Sequence, residues 1–406
     1  MPLTAGTACV DITPPAGAIL ACFPDREHNR PRVAEGAHDP VQARVLALSD
    51  GDCILSICSL DLTGIRRGEV ARIRQRVAQA APELDGPGLD GPGLVLACSH
   101  THAGPDTLYL FGGSPDDPWI EEMVDALVGA VLEALSRRVP ATLSVARAPV
   151  ELTHNRRALG PDGECRQLNE HQPGVTTGPV DPDLTVLRVD DARGRPLAVV
   201  FHHTAHALTL GPGNARFSAD YPGVARAIID EALPGATALF LNGAAGNVHP
   251  RECLRPDRSA TEAIGGMLGR AVVELATGEG VLLDDPHLGA RGRTLTFANR
   301  MDASLTVPVE VGCLALGPVV LGVVPGEYFV EFQLRFRERV AARFATLIGY
   351  ANGWPGYIPT HESYAQGGYG VAAYSGDPPA LSRTCLPPGA GEEILEALVE
   401  LAAQVG

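Results

Sequence analysis

Residues 94 to 105 read Leu94-Val95-Leu96-Ala97-Cys98-Ser99-His100-Thr101-His102-Ala103-Gly104-Pro105, an apolar run followed by a histidine pair. The apolar run predicts a buried strand that ends near Cys98. Side chains alternate along an extended chain, so His100 and His102 are expected to project to the same side. Gly104-Pro105 then removes bulk and stops the strand. The stretch predicts two imidazoles at a strand end, either as ligands or as loop histidines satisfied by their neighbours.

The composition limits the fold and the partners. The chain has 406 residues, of which 45% are apolar, enough for one large α/β domain or two ordinary ones. With 48 acidic and 32 basic residues the net charge is −16, which argues against nucleic acid or an anionic membrane as a partner. No apolar run reaches transmembrane length, and the N-terminus has no basic stretch followed by an apolar one. We therefore expect a soluble, cytoplasmic protein without membrane insertion.

Lysine is absent from the sequence, and every basic residue counted above is arginine. This excludes Schiff-base enzymes, Walker-A phosphate loops and metal sites bridged by a carboxylated lysine. Cationic recognition must then come from arginine or from a metal. The nine cysteines include no C-x-x-C pair, which favours buried free thiols over a disulfide framework.

Predicted strands and helices alternate along the chain. Apolar and alternating runs predict strands over 4–12, 41–48, 53–60, 94–97, 142–148, 184–189, 197–201, 238–241, 291–297, 309–316, 319–324 and 347–351. Helical spacing predicts helices over 66–81, 117–137, 218–233 and 259–276, from just after residue 327 to 343, and over 392–403. The long polar segment 155–182 is expected to be a functional loop. The pattern predicts an α/β fold with a site at the edge of a sheet covered by helices.

Ligand-type residues follow three of these strands. His100 or His102 follows the strand at 94–97, His202 or His203 ends the strand at 197–201, and Glu327 follows the strand at 319–324. Alternation allows only one of His202 and His203 to face a common site. Imidazole and carboxylate are the ligands of catalytic zinc, which keeps one position open for water.

Two other readings concern the same strand ends. Asp61 follows the strand at 53–60, where its carboxylate either orients a metal-bound histidine or caps the next helix. A metallo-β-lactamase pattern would need Asp and His where this chain has Gly104 and Pro105. An amidohydrolase barrel fits the His-x-His motif better, without the lysine that many of its members use.

Six short motifs follow one another along the chain. They are Ser99-His100-Thr101-His102-Ala103-Gly104-Pro105, Asn155-Arg156, Val200-Phe201-His202-His203 followed by Ser218-Ala219-Asp220-Tyr221-Pro222-Gly223, Gly246-Asn247-Val248-His249-Pro250, Pro325-Gly326-Glu327, and Tyr357-Ile358-Pro359-Thr360. In this order they resemble the motifs of neutral ceramidases, and the resemblance covers the sequence from about Thr4 to Tyr374. Single motifs are weak, but six in order are specific. The resemblance implies a zinc amidase with a catalytic domain of mixed β-sheet layers flanked by helices.

The resemblance also implies roles for individual residues. His100, His203 and Glu327 would be zinc ligands, with Tyr357 as a fourth for which Tyr364 and Tyr369 are rivals in the same loop. His102 would stand beside the reacting centre. Arg156 would contact the substrate or the developing oxyanion, with a surface salt bridge as the alternative.

Two departures from the family change the expected chemistry. Where ceramidases have Gly-Asp-x-Ser-Pro with a proposed nucleophilic serine, this chain has Gly246-Asn247-Val248-His249-Pro250. A covalent intermediate on that serine is therefore excluded. The family's C-terminal β-sandwich has no counterpart after Tyr374, so we expect a single catalytic domain spanning residues 1–406.

The sequence therefore predicts a zinc-dependent hydrolase of an amide (N-acyl) bond, acting by direct attack of a metal-bound water on a small or lipid-like substrate other than ceramide. His102 or His249 would carry the proton, with Arg156 at the oxyanion. The alternatives are an esterase, lactamase or cyclic-amide hydrolase using the same site, and a non-catalytic metal- or ligand-binding protein. The sequence predicts neither the substrate nor the oligomeric state.

Overall fold

Two β-sheets lie face to face in the computed structural model, and helices cover the outer face of each. The structure describes residues 2–23, 30–81, 91, 93–283, 286–371 and 384–405. The resulting layers are helix, sheet, sheet and helix. This mixed α/β architecture confirms the predicted fold class.

The larger sheet has nine strands within the described residues. They are β1 (Thr4–Asp11), β2 (Gln42–Ser49), β3 (Ile54–Leu60), β4 (Leu94–Cys98), β5 (Val139–Pro149), β9 (Asp183–Asp191), β10 (Pro196–His203), β11 (Thr237–Asn242) and β13 (Val281–Leu283). Their order is β11-β10-β9-β5-β1-β2-β3-β4, with β13 beside β5. Strands β3 and β4 are parallel, as are β10 and β11. The side-chain amide of Asn242 donates to the Ser99 carbonyl at 3.0 Å, so the ends of β11 and β4 meet.

The second sheet runs β14 (Leu288–Ala298), β15 (Thr306–Leu316), β16 (Val319–Val323) and β18 (Phe344–Ile348). Short pairs join β6 (Thr153–Asn155) to β12 (Val248–Pro250), β7 (Arg157–Leu159) to β8 (Cys165–Gln167), and β17 (Glu327–Tyr328) to β19 (Tyr357–Ile358). The segment 155–182, expected to be a loop, thus carries short strands. Apolar residues such as Ile57 and Val95 of the first sheet pack against Leu314 and Leu321 of the second.

The described helices are α1 (Arg67–Ala80), α2 (Pro118–Ser136), α3 (Asp220–Ala232), α4 (Ser259–Thr277), α5 (Val330–Arg339), α6 (His361–Gln366) and α7 (Ala390–Val405). Helices α1 to α4 cover the larger sheet, and α5 and α7 cover the smaller one. Helix α2 shows why the sequence forms these elements. The Asp117 carboxylate accepts a hydrogen bond from the Trp119 backbone amide at 3.0 Å, which caps the helix. Pro118 takes the first helical position, and apolar residues follow at helical spacing.

Most predicted elements agree with the structure to within a few residues. The strand expected over 347–351 ends at Ile348, because Tyr350 has a φ of 54°, which no strand accommodates. The helix expected to reach residue 343 ends at Arg339. None of the nine cysteines, all of which lie in the described residues, forms a disulfide, as expected, and most of them are buried. None of the described helices is long and apolar enough to cross a bilayer.

Candidate metal centre and active site

His100 lies just beyond β4 in a strained backbone conformation. Its φ is 62°, in the left-handed region that non-glycine residues seldom adopt. Its Nδ1 lies 2.6 Å from the Thr63 carbonyl oxygen, which can only accept, so Nδ1 carries the proton. Nε2 is therefore left with its lone pair. The ring stacks on Tyr350, with 4.2 Å between ring centroids.

His206 presents the same atom from another strand end. It follows β10 and is fully buried. Its Nδ1 donates to the carbonyls of Ala245 at 2.8 Å and Val248 at 3.1 Å, which again leaves the lone pair on Nε2. That Nε2 lies 3.0 Å from Oε2 of Glu327. Both atoms are buried, and neither has a hydrogen-bond partner in the part of the chain that the structure describes.

Glu327 and His102 complete the group. Oε2 of Glu327 lies 3.5 Å from Nε2 of His100, and Nε2 of His102 lies 3.2 Å from the same His100 nitrogen. One ligand atom from each of His100, His102 and His206 falls within 4.8 Å of the other two. Burial alone would raise the pKa of the Glu327 carboxyl, but His100 and His206 lower it below its usual value. The group is therefore an ionised carboxylate among imidazoles.

These distances fit a divalent metal. Ligand atoms held about 2.0–2.1 Å from a tetrahedral zinc lie roughly 3.3 Å from one another. The contacts of 3.0 Å and 3.5 Å that Glu327 makes with His206 and His100 bracket that spacing. Nδ1 of each of these two histidines is fixed by a backbone carbonyl, the usual second partner of a metal-binding imidazole. His100, His206 and Glu327 are thus the residues that would hold the ion.

His203, the ligand expected from the sequence, does not belong to this group. Strand β10 keeps its pairing with β11 through His203, so the pleat fixes the direction of its side chain. Burial lowers the pKa of His203 to about 4, and the charge of Asp181, which acts in the opposite direction, offsets only part of this shift. His202 contacts the Leu347 carbonyl at 2.8 Å and also lies outside the group. His203 is the last residue of β10, whereas His206 lies three residues beyond the strand and its side chain reaches Glu327.

Asp61 takes neither of the roles considered for it. Its carboxylate pairs with Arg226 at 2.5 Å and accepts the Gln42 amide at 2.9 Å. The Thr63 carbonyl orients His100 instead. Helix α1 has no side-chain cap at Arg66.

Of the three candidate tyrosines, Tyr357 lies best for the site. It pairs in register with Glu327 across β17 and β19 and is buried. The Tyr364 hydroxyl instead donates to the Leu386 carbonyl at 2.8 Å. Tyr357 and Tyr369 both line the cavity beside the histidines. Tyr350, which no motif in the sequence indicated, stacks on His100, and its buried hydroxyl has no hydrogen-bond partner among the described residues.

Arg156 and His249 form a buried pair next to this group. Arg156 Nη1 donates to His249 Nε2 at 3.0 Å, and Nη2 donates to the Gly246 carbonyl at 2.7 Å. The guanidinium lies over the rings of Tyr357 and Tyr369, at 5.3 Å and 4.6 Å from their centroids. Arg156 is therefore not a surface salt bridge. Burial and then the charge of Arg156 lower the pKa of His249 well below its usual value.

This arrangement revises the part expected of His249. An imidazole whose Nε2 accepts from a guanidinium cannot take a second proton at that atom while the hydrogen bond persists. The ring lies 4.9 Å from that of His206, so it holds Arg156 close to the metal group. His102 and His249 both border the cavity, and burial lowers the pKa of His102 as well, but His102 is half-buried and does not accept from Arg156.

The cavity adjoining the group has a volume of about 860 Å³. This volume is in the upper part of the range of small-molecule sites, about 300–1,000 Å³. Apolar side chains including Phe23, Leu110 and Trp354 line it, together with Arg32, Arg156, His100, His102 and Glu327. Such a space accepts a substrate with an apolar part and a polar part.

No family model matches the sequence, and no curated protein matches it. Solved structures do match the fold. Neutral ceramidase from Pseudomonas aeruginosa aligns with a TM-score of 0.79 at 19% identity, covering 99% of this chain and 74% of that chain. A structure described as ceramidase complexed with C2 aligns with a TM-score of 0.78 at 18% identity, covering 99% of this chain and 75% of that one. The fold of this chain is therefore that of the matched part of the neutral ceramidases, in agreement with the resemblance found in the motifs.

Proposed function

We propose that this protein hydrolyses an amide (N-acyl) bond with the help of a divalent metal, preferably zinc. The observation that carries the proposal is the convergence of lone pairs from His100 and His206 on the Glu327 carboxylate at metal-ligand spacing. The ceramidase-like fold supports it, since that fold belongs to enzymes named for cleaving a lipid amide. Tyr357 is proposed as a further ligand because it lies in register with Glu327.

A bound zinc ion would lower the pKa of a water molecule toward about 7 and polarise the substrate carbonyl. The chain's own residues supply the remaining functions. His102, through Nε2, accepts the proton of the attacking water and passes it to the amine nitrogen as the C–N bond breaks. The products are a carboxylate and an amine, so one water is consumed for each bond cleaved.

Arg156 stabilises the charge that develops on the carbonyl oxygen. Its guanidinium is buried and lies against the aromatic rings of Tyr357 and Tyr369, so a charge formed beside it is shielded from water. His249 fixes the guanidinium through the 3.0 Å hydrogen bond. His249 is therefore a positioning residue, and His102 is the residue assigned to the proton.

The experiment compares metal-free and zinc-loaded protein on a substrate panel of N-acyl amides, matched esters, lactams and ceramide. We expect hydrolysis of N-acyl amides that is lost on chelation and restored by one equivalent of zinc. Full activity after complete removal of metal would refute the metal role. Cleavage of esters or lactams without any amide would replace the amidase with the alternative hydrolase.

A further inference from the structure

Arg32 is a buried arginine on the wall of the cavity. Only 9% of its surface is exposed, and it borders the same space as His100 and His102. Its Nη1 donates to the carbonyls of Pro212 at 3.3 Å and Asn214 at 2.5 Å, and its Nη2 donates to the Ala21 carbonyl at 3.0 Å. Three backbone contacts therefore hold the guanidinium in place.

No carboxylate among the described residues neutralises this charge. The ion pairs formed by these residues do not include Arg32, and its Nε is buried without a hydrogen-bond partner. The second N–H of Nη2 has no acceptor among the same residues. Arginine stays protonated in proteins, and a buried charge without a counter-ion is costly. The cost is offset when a ligand supplies the anion.

Arg32 lies one aromatic ring away from the reacting centre. Its guanidinium carbon is 5.4 Å from the centroid of the Phe23 ring, and that centroid is 5.5 Å from the centroid of the His102 ring. The guanidinium is thus no farther from His102 than the sum of these two distances. A substrate whose amide lies beside His102 can reach it with a group a few bonds away.

The charges lining the cavity are out of balance. Arg32 and Arg156 are both buried there, and Glu327 is the one carboxylate among the described residues that line it. Glu327 is engaged with His100 and His206, and a divalent ion would add further positive charge. The protein as a whole carries a net charge of −16, so this local excess of positive charge opposes the overall sign. An anionic substrate fits such a pocket better than a neutral one.

We propose that Arg32 binds a carboxylate on the substrate, so that the amides cleaved are anionic N-acyl amino acids rather than neutral N-acyl amines. The inference rests on the proposed amide hydrolysis and names its substrate class. The two open donors, Nε–H and one Nη2 N–H, together with one positive charge suit the two oxygens of a monoanionic carboxylate, whereas a dianionic phosphate requires more donors. The apolar wall formed by Leu110 and Trp354 receives the acyl chain.

Binding is measured first, by calorimetry on metal-free protein, so that no turnover is needed. The probes are N-octanoylglycine and N-octanoyl-4-aminobutanoate, each compared with its own primary carboxamide. A charge-assisted contact predicts about tenfold to hundredfold tighter binding for at least one of the two acids than for its amide. Wild-type protein that binds both acids and their amides equally would overturn the proposal.

Variants test whether Arg32 is the residue that causes the preference for the acid over its carboxamide. Arg32→Gln is expected to remove it, and Arg32→Lys to retain part of it. Arg193 is an exposed arginine in the β9–β10 turn. Arg193→Gln serves as the matched control and should leave the preference for the acid unchanged. A folded Arg32→Gln protein that still prefers the acid would overturn the assignment to Arg32. If that variant does not fold, the comparison of acid and amide on wild-type protein decides.

Turnover then separates this inference from the proposed function. With zinc bound, kcat/KM for the acid should exceed that for its amide by a similar factor. If no amide is hydrolysed while the acid still binds through Arg32, the proposed function fails and the binding site stands. If neutral amides are cleaved as fast as anionic ones, the substrate class fails and the hydrolase stands.

Discussion

Nε2 of His206 and Oε2 of Glu327 lie 3.0 Å apart, and both atoms are buried. Backbone carbonyls hold the proton of the neutral His206 ring on Nδ1, and burial lowers the pKa of His206 to about 4, so near pH 7 its Nε2 turns a lone pair toward the carboxylate. Two buried lone-pair atoms at this distance repel each other unless a cation lies between them. A metal ion is the cation that suits these ligands.

The position of Glu327 depends on Gly246. A Cβ at residue 246 would lie 2.3 Å from the Glu327 carbonyl oxygen and 2.9 Å from that of Tyr328. Gly246→Ala must therefore displace β17, and we expect about fivefold to hundredfold weaker zinc binding, since overpacking costs about 1–3 kcal/mol. Zinc affinity by chelator competition checks this. Gly68→Ala, where a Cβ meets nothing within 4 Å, is the control, and equal affinity in both variants would contradict the prediction.

His249 is expected to act through Arg156 rather than by proton transfer. His249→Ala removes the acceptor of the 3.0 Å hydrogen bond, so kcat should fall by about 10²–10³, the cost of losing an oxyanion donor. Zinc content should not change. His249→Gln retains an acceptor and should recover part of the rate without altering the pH profile. A variant that shifts the pH dependence of kcat while keeping Arg156 ordered would return His249 to the proton-transfer role.

His203 should make the protein sensitive to acid. Its ordinary pKa is 6.5, and burial lowers it to about 4 in the folded state. Above pH 6.5 both states are neutral at this residue, but between pH 6.5 and 4 only the unfolded chain takes up the proton. The free energy of unfolding should therefore decrease as the pH is lowered from 6.5 to 4. This residue contributes up to about 1.4 kcal/mol per pH unit.

Urea unfolding of metal-free protein at several pH values measures that slope. The slope reports how many more protons the unfolded chain binds than the folded protein. His203→Asn should reduce that number by close to one relative to wild type. His171→Gln, which changes an exposed histidine, should not alter it. An identical pH dependence in wild type and His203→Asn would show that His203 titrates normally in the folded protein.

The sequence predicted the strand ends well because each follows a strong apolar run. Glu327 and the pair His100 and His102 were selected on that basis, the family resemblance favoured His100, and the structure brings His100 and Glu327 to 3.5 Å. The reason given for the convergence of His100 and His102 was nevertheless wrong. They do not share a face of an extended strand, since β4 ends at Cys98 and His100 has a φ of 62°. The turn, not the pleat, brings their rings to 4.9 Å.

The sequence could not identify His206 or Arg32. Alternation offered a choice between His202 and His203, but it cannot describe the turn through which the chain leaves β10 and reorients His206. The signal was present in the segment His202-His203-Thr204-Ala205-His206, whose last histidine lies beyond the strand. Arg32 follows a loop rich in proline and charge, where nothing in the pattern distinguishes a buried arginine from a solvated one. Tertiary contacts with Asn214 and Phe23 make that distinction.

The most direct test of the central claim is the zinc content of three folded proteins after metal removal and reloading. Wild type and His203→Asn should each bind one equivalent of zinc, measured by mass spectrometry after dialysis, whereas His206→Asn should bind none stoichiometrically. Stoichiometric zinc in His206→Asn, or its loss in His203→Asn, would contradict the assignment of His100, His206 and Glu327 as the residues that hold the metal.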